Sequence, residues 1–199
     1  MNMLPIVEHF YTIQGEGRNT GRAAYFVRIG GCDVGCVWCD VKESWDASKH
    51  PELSIDEIKN LVLASGTKNV VITGGEPMMF DLTELTAELK NAGLNLWLET
   101  SGAYPISGNW DWICVSPKKF KAPLDEALAK ADELKVIVFN HSDFEWAEKH
   151  LANTNSYCIG YLQPEYSRLE KIIPEIVEYV KQHQQWIISL QTHKVINVP

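Results

Sequence analysis

Short apolar runs alternate with amphipathic stretches along most of the chain. Ile6–Thr12 and Ala23–Ile29 read as strands joined by the glycine-rich turn Gly15–Gly21. Ser54, with Glu57 three residues on, has the capping-box signature of a helix start. Val70–Thr73 reads as a strand entering Gly74-Gly75. Asp81 caps a helix carrying Leu82, Leu85 and Leu89, and Gly93 stops it. Leu94–Glu99, Trp112–Val115, Leu134–Phe139 and Tyr157–Leu162 follow as strands, with a second capping box, Ser142 and Glu145, between the last two. Ile173, Ile176, Val177 and Val180 keep helical spacing and predict a long helix near Ile173–His183. Trp186–Leu190 is the last strand.

Repeated strand-then-helix units imply a parallel sheet with right-handed crossovers. Near-continuous apolar strands imply burial on both faces. A closed eight-unit barrel usually takes about 250 residues, and this chain has 199. The expected fold is therefore α/β: a partial, open (β/α) barrel with an N-terminal strand extension, forming one domain over residues 1–199.

Composition sets outer bounds. Hydrophobic residues make up 45% and charged residues 22%, ordinary for a soluble globular chain. The formal net charge of −8 argues against a nucleic-acid-binding surface. Lys118, Lys119 and Lys121 form a local basic run, read for Lys119 and Lys121 as a solvated turn. The opening MNMLPIVEHF has no basic-then-apolar signal pattern, and no apolar run approaches transmembrane length. Of five cysteines, Cys32, Cys36 and Cys39 crowd together, which is unlike a secreted disulfide framework. The expected compartment is a reducing cytoplasm. Cys114 and Cys158 lie in apolar runs and read as small buried hydrophobes.

The cysteine run carries the chemistry. Three thiolates can hold three irons of a [4Fe–4S] cluster, whose fourth iron then stays open to a small molecule. The competing readings are a cysteine-rich surface loop and a zinc loop completed by His50. Ligands of parallel α/β folds bind at the carboxyl ends of the strands. The cysteine loop, Gly74-Gly75-Glu76-Pro77, Glu99-Thr100-Ser101-Gly102, Ser116-Pro117-Lys118 and Gln163-Pro164 each follow a predicted strand.

The Cys-x₃-Cys-x₂-Cys spacing, with Trp38 before the last cysteine, resembles the radical S-adenosylmethionine (SAM) superfamily, and the Gly-Gly-Glu-Pro segment resembles its second signature. The resemblance implies a [4Fe–4S] cluster on Cys32, Cys36 and Cys39. The open iron would chelate SAM, and electron transfer would cleave SAM to methionine and a 5′-deoxyadenosyl radical. It implies SAM contacts at Trp38, Cys39, Asp40, Gly75, Glu76, Glu99, Ser101, Ser116, Pro117, Lys118, Gln163 and Pro164. Two of these keep a second reading: Trp38 as a core residue, and Glu99 as a carboxylate satisfied by neighbouring backbone.

The resemblance narrows over Phe10–Gly17, Phe26-Val27-Arg28, Leu190–Lys194 and the last residue, Pro199. Together these are similar to the 7-carboxy-7-deazaguanine synthase family of queuosine and deazapurine biosynthesis. That likeness implies a carbon–nitrogen lyase acting on 6-carboxy-5,6,7,8-tetrahydropterin, with hydrogen removal at C6, ring contraction, loss of ammonia and regeneration of SAM. It implies substrate contacts at Ile13, Gln14, Gly15, Glu16, Arg28, Thr73, His193 and the terminal carboxylate of Pro199. Arg28 can fork onto a carboxylate, and Gln14 and Glu16 suit a pterin's amide-like edge. It also implies a homodimer and a flavodoxin- or ferredoxin-type electron donor, with no nucleic-acid or membrane partner. Relatives ligate Mg²⁺ through a hydroxyl directly after the Cys-Asp pair. Here Cys39-Asp40 is followed by Val41, which has no side-chain oxygen, so Asp40, Ser44, substrate or water would have to serve, or the metal is dispensed with. A small glycyl-radical activase and a non-catalytic metal or iron–sulfur module stand as alternatives.

Overall fold

The computed structural model describes residues 2–199. In chain order the elements are β1 (Met3–Ile13), β2 (Ala23–Ile29), β3 (Glu52–Ser54), α1 (Ile55–Ala64), β4 (Asn69–Gly74), α2 (Thr83–Asn91), β5 (Asn95–Thr100), β6 (Trp112–Val115), α3 (Asp125–Ala129), β7 (Glu133–Val138), α4 (Ser142–Leu151), β8 (Ile159–Pro164), α5 (Leu169–Gln182), β9 (Trp186–Ile188) and α6 (Thr192–Ile196). One nine-stranded sheet runs β3-β1-β2-β4-β5-β6-β7-β8-β9. β1 pairs antiparallel with β2 and with β3, while every pair from β2·β4 to β8·β9 is parallel. β3 and β9 stay at opposite edges, so the barrel is open, as expected, with β1 as the antiparallel extension.

The central strands explain this order. Val70, Val71 and Ile72 of β4, Leu96 and Leu98 of β5, and Leu134, Val136 and Val138 of β7 are all at most 1% exposed. Such strands need cover on both faces. α1 and α2 cover one face through Ile58, Val62, Leu85 and Leu89, each worth roughly 1.5–3 kcal/mol in burial, while Val71 packs with Ala24 and Trp97 in a separate cluster.

Several expected boundaries move. The Ser54–Glu57 capping box is present. At α2, Leu82 holds the N-cap position, and Asp81 instead accepts from the Thr83 amide and hydroxyl. At α4, Ser142 does not cap with Glu145. Its hydroxyl donates to Asn140 Oδ1, while Asp143 accepts the Phe139 and Asn140 amides, both at 2.8 Å. In α5 Ile172, Ile176 and Val180 pack on the core; Val177 lies outward. β3, α3 and α6 are too short for periodicity to reveal. Lys119 pairs with Asp143 at 2.6 Å and Lys121 with Asp33 at 2.8 Å, so the basic run is bonded down rather than freely solvated.

Candidate active site

The carboxyl ends of β2, β4, β5, β6, β7 and β8 surround a cavity of about 330 Å³, within the ordinary size of a small-molecule site. The end of β1 and the segment containing α6 close one side of it.

The cysteine loop forms one wall. Cys32, Cys36 and Cys39 are free thiols lining the cavity, and Trp38 lines it beside them. Backbone bonds fix the loop's course: the Cys39 amide donates to Cys36 O at 3.1 Å, Gly31 to Ser44 O at 2.6 Å, and Cys32 to Trp45 O at 3.1 Å. Trp38 is half-buried and meets Phe120 edge-on at 6.2 Å between ring centroids, so it is a wall residue and not a core one. Burial pushes the Cys36 thiol up to about 11, with the Lys118 charge opposing. Burial raises Cys32 likewise.

Among the described residues no three Cys, His, Asp or Glu side chains converge as a single metal ion would require. Zinc would draw thiolates within about 2.3 Å of one centre. His50, the proposed fourth zinc ligand, does not line the cavity, and its Nε2 lies 2.8 Å from Glu43 O. His50 is therefore not placed to complete a zinc site with the three thiols. Three free thiols on one wall are the ligand set of a [4Fe–4S] cluster with one open iron.

The Gly74-Gly75 turn lies under that loop. The Gly75 amide donates to Ile29 O at 3.0 Å and the Glu76 amide to Gly31 O at 2.8 Å. A Cβ on Gly75 would stand 2.4 Å from Gly31 O and 2.7 Å from Cys32 Cβ, so any side chain would displace the cysteine loop. Glu76 is nearly fully buried and does not line the cavity. Its carboxylate accepts from the Met78 amide, Thr100 Oγ1, the Ser101 amide and Ser101 Oγ. It buckles the end of β4 to the end of β5. Pro117 also stands outside the lining.

The remaining expected SAM positions line the cavity: Asp40, Gly75, Glu99, Ser101, Ser116, Lys118, Gln163 and Pro164. Lys118 Nζ donates to Ser116 Oγ at 2.5 Å and lies 5.6 Å from the Trp38 ring centre; burial lowers its pKa. All eight expected substrate positions line the cavity too: Ile13, Gln14, Gly15, Glu16, Arg28, Thr73, His193 and Pro199. Pro199 O accepts from Thr12 Oγ1 at 3.2 Å, so the tail is docked and not frayed.

Reading the sequence missed the charged group at the floor. Lys135 on β7 is 3% exposed, with Nζ 2.6 Å from Glu16 Oε2 and 2.9 Å from Glu99 Oε2. Glu99 is thus satisfied by Lys135 and by Gln14 Nε2 at 3.3 Å, not by backbone. Burial alone would raise the Glu16 carboxyl; the Lys135 charge and hydrogen bonds from Lys135, Gln191 and Gln163 overcome it and bring it down to about 2. Burial opposes charge on Lys135 as well, but Cys114, Glu16, Glu99 and Glu133 hold its pKa well above the usual lysine range. A lysine flanked by Leu134 and Val136 in a strand was the available signal. Gln191 and Lys194 also line the cavity unforeseen.

Three thiols at the carboxyl end of an open parallel barrel, with a glycine turn packed beneath them, define a class. The family model described as "Radical SAM superfamily" matches residues 26–155, and the chain belongs to that superfamily. Within it, the chain is 54% identical to the 7-carboxy-7-deazaguanine synthase of Flavobacterium psychrophilum, over 99% of this chain and 93% of the relative. It is 34% identical to the enzyme of that name from Escherichia coli K12, over 98% of both. The crystal structure of QueE from Escherichia coli superposes with a TM-score of 0.86 at 32% identity, covering 95% of this chain and 94% of that one. The chain is a member of the 7-carboxy-7-deazaguanine synthase family.

Proposed function

We propose that this chain converts 6-carboxy-5,6,7,8-tetrahydropterin to 7-carboxy-7-deazaguanine with loss of ammonia, as a carbon–nitrogen lyase. One observation carries the reading: the cysteine loop, the Gly74-Gly75 turn and the Gln14–Glu16, Arg28 and His193 group all line a single small cavity. When bound, the cluster on Cys32, Cys36 and Cys39 together with SAM supplies the one-electron chemistry that removes a hydrogen atom from the substrate.

The chain's own residues bind and orient. Glu16 stays ionised because Lys135 and Gln191 hold its two oxygens, Gln191 Nε2 at 2.8 Å. An anionic acceptor in that place suits the guanidine-like edge of a pterin. Arg28 is aimed by Glu8, 2.7 Å from Nε, and by Gly74 O, 3.3 Å from Nη1. Its other guanidinium hydrogens are left for a carboxylate. Trp38 gives a flat apolar face for an adenine. α6 closes the site: Gly15 O accepts both the Thr192 amide at 3.0 Å and the Thr192 hydroxyl at 2.9 Å.

The implied Mg²⁺ meets a poor donor set. Val41 lines the cavity without a side-chain oxygen, and Ser44 is buried outside the lining, its hydroxyl donating to Val41 O at 2.7 Å. Asp40 is 68% exposed and pairs with Lys194. A glycyl-radical activase needs a groove for a protein segment, and a cavity of this volume favours a small molecule. Reduction by a flavodoxin- or ferredoxin-type protein, homodimer formation and a cytoplasmic setting complete the proposal. Among the described residues no helix is long and apolar enough to cross a membrane.

Anaerobically reconstituted protein, given SAM, dithionite and carboxytetrahydropterin, should form the deazaguanine product without consuming SAM stoichiometrically. Intact SAM cleavage with no such product would refute the substrate assignment. One zinc and no sulfide per chain would refute the chemistry.

A further inference from the structure

Four cations line the cavity: Arg28, Lys118, Lys135 and Lys194. Lys135 is clamped by Glu16 and Glu99. Arg28 is aimed by Glu8 and Gly74 O and keeps donors for a carboxylate, and Lys118 rests on Ser116. Lys194 lines the cavity from the segment that closes it. Its ammonium donates to Gln191 Oε1 at 3.0 Å, stands 4.1 Å from the Tyr166 ring centre, and reaches Asp40 Oδ2 only at 3.6 Å. An ammonium has three N–H donors, so at least one is unspent.

Its place in the fold matters. Asp40 directly precedes Val41, where a metal-binding hydroxyl is missing, and Asp40, Val41 and Lys194 line the same cavity. The side-chain oxygen donor left beside Val41 is the Asp40 carboxylate, and the Lys194 ammonium already stands 3.6 Å from it, where a divalent cation would meet a like charge.

We infer that Lys194 takes the part of the divalent cation: its ammonium joins Arg28 on the carboxylate of the pterin substrate, and this chain works without Mg²⁺. The inference rests on the proposed substrate. Lys194 is a binding residue in this account, and no electron or proton passes through it.

The test uses the reconstituted full chain. Wild-type turnover of carboxytetrahydropterin in excess EDTA should stay within about twofold of that in millimolar Mg²⁺. Lys194→Met should raise KM about tenfold or more, the cost of one charge-assisted hydrogen bond. Calorimetric affinity for 7-carboxy-7-deazaguanine should fall in parallel, with Mg²⁺ unable to restore it. Unchanged iron content and far-ultraviolet circular dichroism would show that the variant is folded. Product formed by wild type only with Mg²⁺, or equal KM and product affinity in the variant, would overturn this inference alone. No product from wild type under either condition would overturn the substrate reading and take the inference with it.

Discussion

Lys135 sits on a parallel strand between Leu134 and Val136, and it remains charged there only because Glu16 and Glu99 flank its ammonium. Removing the lysine leaves two largely buried carboxylates without their shared counter-charge. Lys135→Met should therefore cost about 3–5 kcal/mol, the usual penalty for breaking a buried pair, read as a fall in the urea midpoint. Glu16 also makes stability depend on pH. Its carboxyl is near 2 when folded against 4.5 otherwise, so its contribution is whole above about pH 4.5 and disappears as pH falls toward 2. By linkage that contribution is of order 3 kcal/mol. Glu16→Gln should flatten the stability profile across that acid range, and an unchanged slope would contradict the pairing. Among the cysteines, Cys36→Ala should lose the cluster, measured as iron and sulfide, whereas Cys158→Ala should keep it. Cys158 is half-buried just before β8 and lies outside the cavity lining.

At the scale of elements, helix starts separate what local pattern can and cannot reveal. Ser54 and Glu57 cap each other within four residues, so the box is written in the local sequence. The start of α4 carries the same residue types, but Asp143 takes the amides and is held by Lys119 from the loop after β6. A local rule has no access to Lys119. Ser54→Ala should cost about 1 kcal/mol. Asp143→Ala should cost more, about 2 kcal/mol, and Glu145→Ala at most about 0.5 kcal/mol. Thermal unfolding of the three variants checks the ranking. α5 shows the same limit: of the stripe Ile173, Ile176, Val177 and Val180, Ile176 and Val180 do pack on the core, but Val177 lies outward and Ile172 is buried with them.

For the molecule as a whole, the site is assembled by contacts between distant parts of the chain. The segment around Gly15 meets α6 so closely that a Cβ on Gly15 would stand 2.2 Å from His193 Nδ1 and 2.7 Å from the His193 amide nitrogen. Gly15→Ala should push α6 off the cavity without touching the cysteine loop. KM for the pterin should rise about tenfold or more, as expected when positioning groups move by an ångström, while iron content stays at wild-type level. Equal KM in the variant would show that α6 does not shape the substrate site.

Strand-and-helix alternation was enough to indicate an open parallel barrel, because strands such as Val70–Ile72 and Leu134–Val138 need apolar cover on both faces and say so in their composition. The cysteine spacing and Gly74-Gly75 were equally legible, since ligand count and close backbone approach restrict residue type locally. Lys135 was not, and of Gln191 and Lys194 the sequence showed only that they belong to the Leu190–Lys194 segment. Their worth comes from Glu16, Glu99 and Asp40, which lie far away in sequence, and a lysine's charge is affordable in a sheet only once those partners arrive. Glu76 shows the converse: its motif was visible, but only the packed ends of β4 and β5 decided that its carboxylate would be spent on Thr100 and Ser101.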